Sequence, residues 1–587
     1  MHSFDTHAVV NQVAPFENVN LFACDIALQE AVQREGGGRA QASLMKLGAR
    51  LGLAGSHELA RLANVHAPQL HNFDRCGKRI DEVEFHPAWH ALMRLLIESG
   101  AHAAPWQAPL MGAQVARAAQ FILFGQLENG SQCPLTMTYA SVPALRHAPA
   151  IAAKWLPKIL SHRYDPRSLP MAQKHGVLIG MGMTEKQGGS DVRSNTTRAD
   201  AVAPAEGRQL FGDDGEQVYR IVGHKWFFSA PQSDAHLILA QTHEHRDGSA
   251  DDGSSAGLSC FFLPRFLPDG SRNPIRVQRL KDKLGNRSNA SAEVEFTGAY
   301  GWLVGQAGRG IPAILEMGSH ARLDCILGSA GMMRAALTHA LHHARRRQVF
   351  GRALAQQPLM QNVLADLALE SEAASVFALR LARCFDQACD PAQASLARLM
   401  TAAGKYWICK RGPGFGAEAL EVIGGNGYVE EGPLARLYRE FPVNSIWEGS
   451  ANVMCLDLLR TLAKSEAARL ALAAELALAG QENTNYTTFV SALNCDLASS
   501  QVGEFGARVL AERIVLALQA GLLLRHAPGF VSAAFVESRL AREVGGAYGR
   551  LAAKIDCASI LSRALIEPGP TRYSNHLSTK STPDDET

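Results

Sequence analysis

Between Gly176 and about Gly305 the sequence changes character, and that change limits the fold more than any other feature. Short β-rich runs follow one another: Val177-Leu178-Ile179-Gly180-Met181, Tyr219-Arg220-Ile221-Val222, Ala235–Gln241, Leu258–Leu263, Ile275–Leu280 and Ala292–Phe296. Turn-rich segments separate them, including the polar loop Glu244–Gly257. Strands spaced in this way, without helices between them, predict an antiparallel sheet, sandwich or barrel. On both sides the apolar spacing is helical. Before the strands it covers Asp25–Asn64 (broken at Gly36-Gly37-Gly38), Asp81–Ser99, Gln114–Leu127 and Thr136–Ile159, with a turn-rich insert at Asn64–Arg79. After them it covers Gly310–Lys464 and a further block, Ser465–Ile566. The expected fold class is therefore α+β and mostly helical. It comprises an N-terminal helical domain with an extended arm (1–175), a central antiparallel β-domain (176–305) and a C-terminal helical bundle (306–464). An extra helical block (465–566) and a disordered tail rich in Pro, Ser, Thr and Asp (567–587) complete the chain.

With 587 residues the chain exceeds what one core can organise, in keeping with several domains. A net charge of +2 gives no overall pull toward nucleic acid or membrane, so any such role must rest on local patches. The eleven cysteines form no CxxC pair, which predicts reduced thiols in a cytoplasm-like compartment. No signal peptide is read at the N-terminus, and no apolar run is long enough to span a bilayer. His86 and His90 share a helix but lack a third ligand, so no metal site is expected.

Two stretches carry chemistry. In Asn444-Ser445-Ile446-Trp447-Glu448-Gly449-Ser450-Ala451-Asn452 the apolar neighbours Ile446 and Trp447 would desolvate Glu448 and raise its pKa toward that of a useful base. An exposed glutamate near a helix N-terminus is the competing reading. In Met183-Thr184-Glu185-Lys186-Gln187-Gly188-Gly189-Ser190-Asp191, which follows a strand, Gly188 and Gly189 let backbone N–H groups approach an anion, and Ser190 adds a hydroxyl. That segment matches neither GxGxxG nor a P-loop, and a surface turn is the competing reading.

The second stretch resembles the flavin-binding loop of the acyl-CoA dehydrogenase superfamily. Further segments match that superfamily in order: Gly223–Ser229, Lys283–Ser288 with Glu293–Phe296, Arg347-Gln348-Val349-Phe350-Gly351, Gly424–Tyr428, and Trp447-Glu448-Gly449-Ser450. The resemblance implies an FAD cofactor. Met183, Thr184, Gly188, Gly189, Ser190, Phe227, Phe228, Ser229, Phe350, Gly424, Gly425, Trp447, Gly449, Ser450 and Asn452 would line its site. Arg347 would hold the pyrophosphate from a neighbouring subunit of a homotetramer. Glu448 would be the base that removes the α-proton of an acyl thioester, with Arg322 positioned beside it. The alternative base position of the superfamily, just before Arg322, is Ala321. Two departures stand out: Glu421 replaces the glutamine before the Gly-Gly turn, and the glutamine expected after Phe350-Gly351 is displaced to Gln357.

Lys281–Ser291, Asn444–Asn452, Glu84–His90 and the extra helical block carry the resemblance to the AidB branch of the superfamily. That branch belongs to the adaptive response to alkylating agents. Its members bind double-stranded DNA mainly through the C-terminal block and have feeble isovaleryl-CoA dehydrogenase activity. The resemblance thus implies a cytoplasmic, DNA-protecting flavoprotein whose small-molecule partner is an acyl-CoA or an alkylating agent. Oxidation of alkylating agents or of lesions is the candidate protective chemistry. Arg460, Arg539, Arg542 and Arg550 are the candidate DNA contacts. Charge alone does not imply DNA binding, since residues 464–587 hold 12 Lys/Arg against 13 Asp/Glu. A catabolic acyl-CoA dehydrogenase and a non-catalytic DNA-shielding flavoprotein are the alternatives.

Overall fold

A computed structural model of the chain describes residues 6–212, 216–242, 257–498, 503–541 and 546–567. The expected tail beyond Glu567 and most of the polar loop 244–257 lie outside these residues. The N-terminal region comprises α1 (Ile26–Arg34), α2 (Gln41–Leu51), α3 (Ala54–Val65), α4 (Pro87–Glu98), α5 (Ala104–Gln107), α6 (Ala113–Gly125), α7 (Gln132–Leu145) and α8 (Pro149–Ile159), with α1 and α2 packed on α6 and α3 on α4. Where the sequence suggests a turn-rich insert, an antiparallel hairpin forms from β1 (Gln69–Phe73) and β2 (Arg79–Glu84). The following helix starts later than expected, because the His86 ring accepts from Ala88 N at 3.2 Å as its N-cap and Pro87 occupies the first turn.

The central region contains β3 (Ile179–Gly182), β4 (Arg198–Ala201), α9 (Pro204–Phe211), β5 (Val218–Ser229), β6 (Ala235–Thr242), β7 (Leu258–Pro264), β8 (Ile275–Leu280) and β9 (Ser291–Val304). The strands form one sheet in the order β3-β5-β4-β6-β7-β9-β8, and a β5–β9 pairing folds it back on itself. The sheet is mixed, not purely antiparallel: β6 pairs in parallel with β3 and with β4. The chain between β3 and β6, which includes the short helix α9, supplies the crossover that parallel pairing requires.

The C-terminal bundle is built on α10 (Gly310–Arg346), a small hairpin of β10 (Gln348–Val349) and β11 (Arg352–Ala353), α11 (Pro358–Asp386) and α12 (Pro391–Ile423). It continues through α13 (Gly425–Tyr428), α14 (Pro433–Glu440) and α15 (Ala451–Lys464). Both faces of α10 are covered. On the N-terminal side Arg117 grips Asp324 through two 2.6 Å hydrogen bonds, both side chains being buried. The final block comprises α16 (Glu466–Ala477), α17 (Thr484–Ala498), α18 (Ala507–His526), α19 (Gly529–Arg539) and α20 (Cys557–Ala564). It shares the bundle's hydrophobic core and is fastened by buried charges. Glu475 accepts from Arg380 and from Arg525 at 2.7 Å each. Arg563 bridges Glu30 (2.6 Å) and Glu372 (2.9 Å), and Arg539 bridges Asp366 and Glu370. Removing one partner of a buried pair strands the other, so Arg539→Met is expected to cost about 3–5 kcal/mol of unfolding free energy. A lowered urea midpoint with an unchanged slope is the readout, and a loss below about 1 kcal/mol would contradict this account. No helix of the described residues is long and apolar enough to cross a membrane.

Candidate active site

Glu448 lies in the short connection between the 3-10 turn Phe441–Ser445 and α15. Its backbone is left-handed (φ 57°), as is that of Gly449 (φ 104°), an arrangement a non-glycine residue adopts only where its surroundings enforce it. The surroundings do so through two cations. Arg322, on α10, donates from Nε to the Glu448 carbonyl at 2.9 Å and from Nη1 to Asp457 at 3.0 Å. Lys405, on α12, donates to the Gly449 carbonyl at 2.5 Å. The Trp447 indole donates to Asn444 Oδ1 at 3.0 Å, and Asn444 in turn donates to Ser329 at 3.1 Å. Trp447 thereby turns onto the apolar cluster that holds Cys133, Met137, Met181 and Met183. Glu448 is half-buried beside this cluster, close enough for its charge to act on the Cys133 thiol. Burial raises its pKa above the ordinary carboxylate range, and Arg322 and Lys405 pull it part of the way back. Ala321 is buried, so the neighbouring helical position offers no rival base.

Facing this connection, the loop after β3 is held rigidly from beneath. Trp226 N donates to the Thr184 carbonyl at 2.9 Å, and Glu185 and Gly188 close a turn through reciprocal backbone bonds. The Glu185 side chain points inward, where it accepts from Lys225 Nζ at 2.8 Å and from the backbone of Thr196 (2.7 Å) and Thr197 (3.2 Å). Burial alone would raise the Glu185 pKa; the Lys225 charge and the hydrogen bonds outweigh it and hold the carboxyl at about 2. This places Gly188 (φ 142°) beside open space, while a Cβ on Gly189 would sit 2.4 Å from Thr184 Oγ1. A side chain at Gly189 would thus push Thr184 away from the surface of the loop. Ser190 is exposed at its tip, and the Ser229 hydroxyl lies near the buried Cys133 thiol at the end of β5.

The comparisons with known proteins agree with this geometry. Residues 11–166 match the family described as adaptive response protein AidB N-terminal domain. Residues 180–299 match the acyl-CoA dehydrogenase middle domain, and residues 308–463 match the acyl-CoA dehydrogenase C-terminal domain. The chain is 55% identical to the putative acyl-CoA dehydrogenase AidB of Escherichia coli (strain K12) over 466 residues, covering 79% of this chain and 82% of that protein. The chain belongs to the acyl-CoA dehydrogenase family, in its AidB branch. It is also 31% identical to acyl-CoA dehydrogenase family member 11 of Caenorhabditis elegans over 434 residues, 73% of this chain and 67% of that one. The crystal structure of Caenorhabditis elegans ACDH-11 in complex with C11-CoA superimposes with a TM-score of 0.79 at 26% identity, covering 96% of this chain and 94% of that chain.

An acyl-CoA dehydrogenase of this type is an FAD-dependent oxidoreductase, and the residues present here fit the flavin. The open Gly188 turn offers backbone approach to an anion, Thr184 and Ser229 offer hydroxyls, and Met183 and Trp447 form an apolar wall. Beside Ser229 and Cys133, the buried Asn289 amide leaves both polar atoms without a protein partner, as a polar ligand edge would require. Phe228 is a correction. A bulge between Lys225 and Phe228 turns Phe227 outward (53% exposed) and Phe228 into the β-domain core, fully buried against His236. Its ring therefore faces away from the flavin side.

Other expected contacts do not converge within one chain. Arg347 follows the end of α10, about 37 Å along the helix from Arg322, and its guanidinium donates to the Asn11 carbonyl of the N-terminal arm. Phe350 beside it is 94% exposed. Gly424 and Gly425 close α12 about 28 Å beyond Lys405. Ser450 and Asn452 begin α15, and Asn452 Oδ1 accepts from Arg508 of the final block at 2.9 and 2.7 Å. Of the candidate DNA contacts, Arg460 and Arg550 are exposed and Arg542 lies outside the described residues. Arg539 is a second correction: it is buried and committed to Asp366 and Glu370, so its guanidinium cannot meet a phosphate. Sequence reasoning also missed Glu185, Lys225 and Lys405. A lone lysine in an apolar helical run, bounded by Gly404 and Tyr406, was the one available signal for Lys405.

Proposed function

We propose that this protein desaturates an acyl thioester at Cα–Cβ. The observation that carries the reading is the half-buried Glu448, its pKa raised, held in a fixed left-handed turn against the wall that Met183 and Trp447 share. FAD, when bound, supplies the acceptor for the hydride leaving Cβ. Glu448 receives the α-proton, and the electrons of the broken Cα–H bond become the Cα=Cβ π bond of an enoyl thioester. Arg322 and Lys405 keep the carboxylate-bearing turn in place while the charge on Glu448 is neutralised. Trp447 and Met183 exclude water from the reacting carbons. Under anaerobic conditions, a panel of short, branched and long acyl-CoAs is expected to include at least one that bleaches the flavin. Failure of the whole panel would overturn the reading.

The match of residues 11–166 to the adaptive response AidB family favours a second role, in which the protein binds double-stranded DNA and guards it from alkylation. In this reading Arg460 and Arg550, both exposed, contact phosphates. Duplex affinity of the full chain should then fall with salt, and Arg460→Ala or Arg550→Ala should each reduce the log–log slope by about 1. Undetectable duplex binding at low salt would remove this role. A homotetramer would let Arg347 and Phe350 of one copy complete the flavin site of another, and the free cysteines suit a reducing cytoplasm.

A further inference from the structure

Of the two cations on the Glu448 turn, one has a carboxylate of its own and the other has none. Arg322 is paired with Asp457. Lys405 is 1% exposed in the middle of α12, and among the described residues it forms no ion pair; its contact is the Gly449 carbonyl at 2.5 Å. A carbonyl oxygen satisfies one of three N–H groups and none of the charge, and an unpaired buried ammonium is strongly disfavoured.

The groups around it narrow its partner to one. Cys325 on α10 and Cys409 on α12 face Lys405, and burial pushes both thiols upward, which keeps them neutral. Glu448 is the remaining group that senses its charge. Seen from Glu448, the facing titratable groups are Arg322 and Cys325 on α10, Lys405 on α12 and Cys133 on α7. Asp457 on α15 stands behind Arg322 and is taken up by it. Lys283 lies behind Cys133, and burial lowers it to about 8.

We propose that Lys405 is the positioning residue of the base: it fixes the Gly449 carbonyl, and its buried ammonium is a counter-charge, beside Arg322, for the Glu448 carboxylate. The inference rests on the reading of Glu448 as the base. Without Lys405, Arg322 alone would oppose the burial of Glu448, and the carboxyl would hold its proton to higher pH. With it, protonation of Glu448 strands the ammonium, so release of that proton to solvent resets the site.

The test uses the flavin-containing full chain and three substitutions. Lys405→Gln keeps a donor for the Gly449 carbonyl and removes the charge; Lys405→Arg keeps the charge. For Lys405→Gln the pH midpoint of flavin reduction should move upward by on the order of one pH unit, with flavin content retained. For Lys405→Arg the midpoint should stay at the parent value even if Tm falls. Thermal unfolding needs no substrate and closes a cycle with Glu448→Gln: Lys405→Gln should lower Tm less in the Glu448→Gln background, where its counter-charge is already gone. Equal Tm losses in both backgrounds with an unmoved midpoint would overturn the proposal and leave Lys405 as a packing residue. If no acyl-CoA bleaches the flavin, the base assignment fails on its own, and the Tm cycle still decides whether the two side chains are coupled.

Discussion

Replacing Glu448 by glutamine should slow flavin bleaching by the best acyl-CoA about 10²–10⁴-fold, the range that a positioned general base contributes. The amide has the size of the carboxyl and suits the same half-buried site, so flavin content should stay near that of the parent, while Tm should fall because Lys405 loses its counter-charge. The geometry makes the effect specific. The Arg322 and Lys405 contacts go to the carbonyls of residues 448 and 449, not to the side chain, so the substitution leaves the turn intact. Because burial raises the Glu448 pKa, the acidic limb of the parent's rate profile should lie above the ordinary carboxylate value of 4.5. The rate should fall as pH drops through that raised value, since protonation disables the base. A Glu448→Gln protein that still bleaches within tenfold of the parent would transfer the proton-accepting role elsewhere.

An effect on stability as large as any in the chain is expected at Lys225, and it should extend to the cofactor. Lys225→Met leaves the Glu185 carboxylate buried with no cation, and breaking such a pair costs about 3–5 kcal/mol. The damage should reach the cofactor, because Glu185 anchors the turn that presents Gly188 and Ser190. Flavin should be lost on dilution before the protein unfolds. The sign with pH follows from Glu185, whose pKa is 4.5 ordinarily and about 2 when folded. In the parent that contribution is fully present above about 4.5 and disappears as pH falls toward 2. The deficit of the variant should therefore be largest near neutrality and shrink on acidification, as its stranded carboxyl takes up a proton. Urea unfolding at two pH values measures both, and a deficit under about 1 kcal/mol at neutral pH would show that the pair does not anchor the loop.

Much of the architecture was legible because periodicity reports local geometry. The helix–strand–helix order and the glycine turn after β3 follow from patterns a few residues long. What escaped depends on contacts across long stretches of chain. The parallel pairing of Ile179–Gly182 with Ala235–Ile238 leaves no mark on the alternation of either strand. Arg539 resembles any solvated helix arginine until Asp366 and Glu370, some 170 residues earlier, come to lie beside it. Phe228 could not be told from Phe227 in the sequence, because which face each ring takes depends on the bulge between Lys225 and Phe228. Lys405 lies on α12 and Glu448 in the connection before α15, and their relation exists only once α12 packs along α10 and α15.

The buried charges that fasten the final helical block bear on how its role can be studied. Deleting residues 465–567 would strip partners from Arg380, Asp366, Glu370, Glu372 and Glu30 and expose the apolar faces of α11 and α12. A shortened chain would misfold or aggregate, and a lost binding signal from it would report that collapse and nothing about nucleic acid. The dehydrogenase half and the appended helices form one cooperative unit, so their functions can be separated by single substitutions on the outer surface but not by scissors.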